Sequence, residues 1–187
     1  IWSYKENKMD IIERFKKYVS FDTTSSETIR PGKASTDRQY AFGKEVIYKE
    51  LKTFKPDELD INGYGVVRAV FKPSEEETLP RVALFCHMDT SPAAKGSDIK
   101  PRVIKYEGGD IDFGHGVVLH AKDYPYLKKS IGHQLIIPDG TTLLGGDDKA
   151  GCSAVMDFLE KLPNHRCKHR TLEIHFTTDE ETGEDAK

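Results

Sequence analysis

Apolar residues recur at spacings of three and four over residues 9–19, where Ile11, Ile12, Phe15 and Val19 share one face, so this stretch predicts a helix. Residues 21–33 are rich in Ser, Thr, Gly and Pro and read as loop. A second helix is predicted over residues 36–54, with Ala41, Val46, Leu51 and Phe54 as its apolar stripe. Residues 59–71 predict two short strands around Asn62-Gly63. The unbroken apolar run 82–86 has strand length and fits a strand buried on both faces, as in the parallel part of an α/β sheet. Residues 171–177 alternate, with Leu172, Ile174 and Phe176 facing one way and Glu173, His175 and Thr177 the other. Residues 135–144 predict two more strands across the turn Pro138-Asp139-Gly140. A third helix is predicted over 149–162, with Val155, Phe158, Leu159 and Leu162 on its buried side. Residues 91–133 hold many Gly, Pro and charged positions and read as a long excursion with little regular structure.

Strands alternating with helices imply an α/β fold, a mixed and mostly parallel sheet flanked by helices. The chain stops soon after a strongly patterned segment, so it is expected to be part of a longer domain. With 37% hydrophobic and 32% charged residues, the chain can form a core and is not of disordered composition. A formal net charge of −3 offers no basic excess for a phosphate backbone, which argues against a nucleic-acid partner. The longest apolar runs are too short to span a bilayer, and residues 1–10 are too polar for a signal peptide. Cys86, Cys152 and Cys167 match no zinc knuckle or disulfide framework and read as reduced thiols of a cytoplasmic protein.

Three short segments carry candidate chemistry. His87-Met88-Asp89 follows the apolar run 82–86, and open α/β sheets place ligand sites beyond the carboxyl ends of their strands. Residues two apart in extended backbone point the same way, so an imidazole could bind a metal while Asp89 orients it. Gly145-Gly146-Asp147-Asp148-Lys149-Ala150-Gly151 sets two carboxylates at a helix start. Helix capping explains one of them and leaves the other for a cation. Asp179-Glu180-Glu181-Thr182-Gly183 follows the alternating segment. Adjacent carboxylates raise one another's pKa, a cost that a cation relieves. Imidazole plus carboxylates suits zinc or a similar divalent ion.

These segments carry a family resemblance. Cys86-His87-Met88-Asp89-Thr90-Ser91-Pro92, the block 139–151 and Asp179-Glu180-Glu181-Thr182-Gly183 resemble, in order and spacing, the signature blocks of the peptidase T family of dinuclear zinc metallopeptidases. Gly108-Gly109-Asp110-Ile111 and the glycines to Gly116 resemble the family's segment between the first two blocks. The resemblance implies that His87 binds one zinc, Asp147 bridges two, Glu181 binds the other, Glu180 is the general base and Asp89 orients His87. It also implies a cis peptide bond between Asp147 and Asp148. The implied activity is removal of the N-terminal residue from tripeptides by a metal-activated water.

Two segments depart from the family pattern: Ala93 and Ala94 stand where an acid often follows Ser-Pro, and Thr178 stands where a Pro is common. The family's further Asp and His zinc ligands, and the lid domain through which its members dimerise, are expected beyond these residues. A related dipeptidase, carboxypeptidase or deacylase and a non-catalytic metal-binding module are the competing readings. Histidines 115, 120, 133, 165, 169 and 175 read as ordinary surface, loop or sheet residues.

Overall fold

The structure, a computed structural model, describes residues 9–75, 80–164 and 168–184. Helix α1 (Ile11–Val19) starts at Asp10, whose carboxylate accepts the Ile12 N–H at 2.9 Å. Glu13 in the first turn and Lys16 and Lys17 in the last complement the helix dipole. Its buried face is Arg14, Phe15, Tyr18 and Val19. Phe15 and Val19 face inward as expected, whereas Ile11 is exposed and a charged residue, Arg14, is buried instead. The reason is electrostatic: Glu50 and Glu160 reach the Arg14 guanidinium at 2.8 and 2.7 Å.

The second helical run is continuous but not uniform: α2 (Asp37–Phe42), a π-helical turn (Gly43–Tyr48) and α3 (Lys49–Thr53). The wider turn shifts the inner face to Gln39, Phe42, Gly43, Val46, Ile47 and Leu51. Ala41, expected in the stripe, is exposed. Gly43 has to be glycine, because a Cβ there would stand 2.8 Å from the Gly65 carbonyl oxygen.

These helices cover one face of a four-stranded mixed sheet. Strands β1 (Glu58–Ile61) and β2 (Val67–Phe71) form the expected hairpin; the Asn62 carboxamide oxygen accepts the Tyr64 and Val66 N–H groups within its turn. Strand β3 (Val82–His87) is followed, after the excursion, by β8 (Leu172–Thr177), and the sheet order is β1-β2-β8-β3. The β3–β8 pair is parallel, with His87 beside Thr177; the other two pairings are antiparallel, so the sheet is mixed but not mostly parallel among the described residues. Val67, Ala69, Phe71, Cys86, Leu172, Ile174 and Phe176 form the sheet's side of the core. The expectation that residues 82–86 are buried on both faces fails. Among the described residues strand β3 lies at the edge of the sheet, and Phe85 is 66% exposed, stacked on His175 with ring centroids 4.8 Å apart.

Between β3 and β8 the excursion is more regular than expected. Strand β4 (Arg102–Lys105) pairs with β7 (Gln134–Ile137), and β5 (Ile111–Gly114) pairs with β6 (Val117–Leu119). Tyr106, Ile111 and Ile137 close a small core of their own. The second strand expected after Asp139-Gly140 does not form; β7 takes a distant partner instead of a hairpin neighbour. Helix α4 (Gly146–Lys161) then crosses the sheet with Lys149, Cys152, Ser153, Met156 and Leu159 buried. Its apolar residues make two overlapping stripes, and the sheet takes the one through Cys152, Met156 and Leu159. Val155 and Leu162 only flank the core, and Phe158 is exposed. No helix among the described residues is long and apolar enough to cross a membrane.

Candidate metal centre

The carboxyl ends of β3 and β8 and the start of α4 meet at one edge of the sheet. The loop after α1 clamps the first of them. The Thr23 hydroxyl donates to the Met88 carbonyl at 2.8 Å, and the Ser25 N–H and hydroxyl both reach the Thr90 carbonyl. On the other side the Met88 N–H donates to the Thr177 carbonyl at 2.9 Å. Residues 87–90 are thus held extended from both sides, which turns His87 and Asp89 the same way.

His87 is nearly buried. Its Nδ1 lies 3.1 Å from the Asp89 carbonyl oxygen and 3.4 Å from the Asp89 carboxylate, and its Nε2 lies 2.9 Å from Asp147 Oδ1 and 3.8 Å from Glu180 Oε2. Asp89 is fully buried, and its two oxygens accept the N–H groups of Glu180 and Glu181 at 3.1 and 3.2 Å. Asp89 therefore ties the first segment to the third. Burial works against its ionisation, yet the bonds from His87 and from the two amides hold its carboxyl below the usual range. Burial also lowers the His87 pKa, but bonding to Asp89 and Asp147 and the charge of Glu180 outweigh it and push it up to about 9.

At the start of α4, Gly145 adopts a left-handed backbone and the Asp147–Asp148 peptide bond is cis. The two carboxylates then part company. Asp148 turns back to accept the Gly151 N–H at 3.0 Å, the capping role, and a Cβ on residue 151 would collide with it. Asp147 stays out, its side chain 86% exposed, beside His87. Burial raises the pKa of Asp148, and burial with the charges of Asp89, Asp147 and Glu180 raises that of Glu181.

The acidic block is divided in the same manner. Asp179 is fully buried and faces away from His87, toward Ser35 and Gln39, while the Glu180 side chain is 49% exposed. A cavity of about 370 Å³ opens beside Glu181, lined by Glu27, Ile29, Pro92 and Thr182 among others. Among the described residues no three His, Cys, Asp or Glu side chains are gathered as one ion's ligand set. The geometry brings His87, Asp147 and Glu180 together and leaves Glu181 linked to them through Asp89. An imidazole whose pKa is driven up by surrounding carboxylates marks a place that attracts positive charge, and nitrogen with carboxylate oxygen is a donor set that fits a divalent cation.

Lys149 and Cys152, read from sequence only as a motif position and as a reduced thiol, take supporting roles. Lys149 is fully buried, donates to the Phe21 carbonyl at 2.7 Å and lies 5.4 Å from the Phe42 ring centre; burial pushes its pKa down to about 8. Cys152 donates from its thiol to the His87 carbonyl, and both Cys86 and Cys152 are free thiols. Only the periodicity of α4, read with Cys152 rather than Val155 in the buried stripe, carried a signal for these. His120 pairs with Asp110 at 2.7 Å, away from this edge. Cys167 and His165 lie outside the described residues, as do residues 1–8.

No protein-family model matches the chain. Among curated proteins it is similar to peptidase T of Caldanaerobacter subterraneus subsp. tengcongensis, 41% identical over 177 residues, which is 92% of this chain and 43% of that protein. Peptidase T of Clostridium perfringens is 42% identical over 176 residues, 93% of this chain and 43% of that protein. Among solved structures, a tripeptidase from Staphylococcus aureus has a TM-score of 0.60 at 20% identity, covering 92% of this chain and 37% of its own. Aminopeptidase PepT from Bacillus cereus has a TM-score of 0.59 at 21% identity over the same shares. These structural likenesses bear on the fold alone. The chain spans less than half the length of the curated relatives it matches. By sequence, the chain is related to the peptidase T proteins along nearly its whole length.

Proposed function

We propose that the protein is a zinc-dependent aminopeptidase that removes the N-terminal residue of tripeptides, and that these residues form the N-terminal portion of its catalytic domain. The observation that carries this reading is the meeting of His87 Nε2 with the Asp147 and Glu180 carboxylates at 2.9 and 3.8 Å, above the buried Asp89. The relatives named peptidase T and the solved tripeptidase and aminopeptidase PepT support the substrate class.

When bound, two zinc ions would supply Lewis acidity and lower the pKa of a water from 15.7 toward about 7. His87 would hold one ion through Nε2 while Asp89 keeps Nδ1 occupied. Asp147, exposed and with two oxygens, would bridge both, and Glu181 would hold the second. Glu180 would take the proton of the attacking water and pass it to the leaving amine. Further ligands, and a lid domain through which subunits pair, would come from additional chain. The free buried thiols Cys86 and Cys152 suit a reducing, cytoplasmic setting.

The test is Glu180→Gln in the full-length protein. Turnover of free tripeptides falls at least about a hundredfold, with metal content by elemental analysis unchanged. Near-normal turnover removes Glu180 from the role of base. A panel of tripeptides, dipeptides and N-acyl amino acids separates this reading from the related dipeptidases and deacylases.

A further inference from the structure

Asp179 lies outside the roles proposed above, yet it is the most heavily bonded carboxylate of the acidic block. It has no exposure and a left-handed backbone, φ 64°. Its Oδ2 accepts the Ser35 N–H at 2.9 Å; its Oδ1 accepts the Gln39 side-chain amide at 2.7 Å and the Ser35 hydroxyl. Its own N–H donates back to Gln39 Oε1 at 2.9 Å, so Gln39 grips both the side chain and the backbone of one residue. The Asp179 carbonyl then accepts the Glu184 N–H at 2.9 Å and the Thr182 hydroxyl at 3.1 Å, which closes the short turn Glu180–Thr182.

The next two residues reverse direction. The N–H groups of Glu180 and Glu181 point at the Asp89 carboxylate. The turn is thus pinned at two points: inward by Gln39 and Ser35 through Asp179, outward by Asp89. A buried carboxylate is a costly way merely to fill space, since an apolar side chain of similar volume usually serves stability as well or better. What the carboxylate adds is direction: fixed bonds that set the backbone from which both exposed glutamates project.

We propose that Asp179, clasped by Gln39 and Ser35, is a positioning residue that fixes the Glu180–Glu181 backbone against Asp89 and so sets the geometry of the base and the second metal ligand. This rests on the reading of Glu180 and Glu181 given above, but its test has a readout that does not. In Asp179→Asn the carboxamide nitrogen can no longer accept, and in Gln39→Glu two carboxylates face each other. With both substitutions in one chain the pair is complementary again: the carboxylate now at position 39 accepts from the side-chain amide now at position 179 and from the backbone N–H of that same residue.

The experiment measures amide hydrogen exchange over residues 178–184 by mass spectrometry, with kcat, KM and metal content, in the full-length protein. Each single variant speeds exchange at the Glu180 and Glu181 amides at least about tenfold and lowers kcat about 10- to 100-fold, while KM and the exchange of β8 change little. The double variant recovers both to within a few-fold. Singles within twofold of wild type, or a double variant no better than the worse single, overturn the proposal. Should neither single variant fold, Ser35→Ala removes the hydroxyl bond to Asp179, together with those the hydroxyl accepts from the Ser26 N–H and the Gln39 amide, and keeps the Ser35 N–H bond; unchanged exchange at the two amides overturns the proposal there as well. If the wild type fails to cleave tripeptides, the proposed function falls, and the exchange pattern still decides the positioning role.

Discussion

Arg14→Met tests whether helix α1 is held by charge rather than by its apolar residues. Arg14 is 1% exposed and bonds to Glu50 of α3 at 2.8 Å and to Glu160 of α4 at 2.7 Å, with Asp157 of α4 at 3.8 Å. Those carboxylates are only 11–16% exposed, and Glu50 also receives the Tyr18 hydroxyl. Burial lowers the Arg14 pKa, but bonds to Glu160 and Glu50 reverse the sign and leave it raised. Methionine keeps most of the packing volume and removes the cation shared by the three carboxylates, leaving Lys17 beside Glu50 at 3.4 Å and Lys161 beside Asp157 at 2.6 Å as the remaining partners. Breaking a buried pair costs about 3–5 kcal/mol; the partial exposure of the acids brings the expectation to about 2–4 kcal/mol. Urea unfolding of the intact protein, read by circular dichroism, measures the free energy. A loss under about 1 kcal/mol would refute the argument, and so would failure of the added Glu160→Met change to return part of the stability.

Other outcomes follow from the same geometry. Glu173 is held down to about 2 chiefly by its bond to Arg68, with Arg81 beyond it. Its pKa is depressed on folding, so its stabilisation is present above about 4.3 and is lost as pH falls toward 2. Glu173→Gln should therefore destabilise the protein at neutral pH, with the gap to wild type closing over that acid range; a gap independent of pH contradicts this. Gly43→Ala should cost about 1–3 kcal/mol because its Cβ meets the Gly65 carbonyl, and a neutral or stabilising result in thermal melts would contradict the close approach. Asp147→Ala in the full-length protein should abolish binding of both metals, and retention of two ions per chain in elemental analysis would rule out the bridging role.

Legibility of the fold tracked the range of the interactions. The β1–β2 hairpin was readable because Asn62-Gly63 encodes its turn locally. The alternation of Leu172, Ile174 and Phe176 was readable because one face of β8 meets helices while the other carries Glu173 and His175 beside Arg68 and the exposed Phe85. Strand β4 was not, since four residues carry too little periodicity and its partner β7 lies on the far side of the excursion. Helix α1 misled for a different reason. Apolar spacing ranks Ile11 above Arg14, and nothing local reveals that Glu50, Asp157 and Glu160 converge to bury a guanidinium.

The site divides along the same line, and the division has a physical cause. In the proposed site, His87, Asp147, Glu180 and Glu181 stand in short dense motifs because they lie just beyond two strand ends and at one helix start, and three such ends yield three blocks of sequence. The residues that aim them obey no such constraint. Gln39 reaches Asp179 from a helix 140 positions away, and Thr23 and Ser25 reach Met88 and Thr90 from a loop 65 positions away. In sequence each is one polar residue among many. Asp179 shows why this matters for reading acidic runs. Three adjacent acids suggest three candidate ligands, but the left-handed turn at Asp179 sends its carboxylate into the core and only Glu180 and Glu181 outward. The run therefore projects two carboxylates outward rather than three, and the rise in the Glu181 pKa arises from burial and then from Asp89, Asp147 and Glu180.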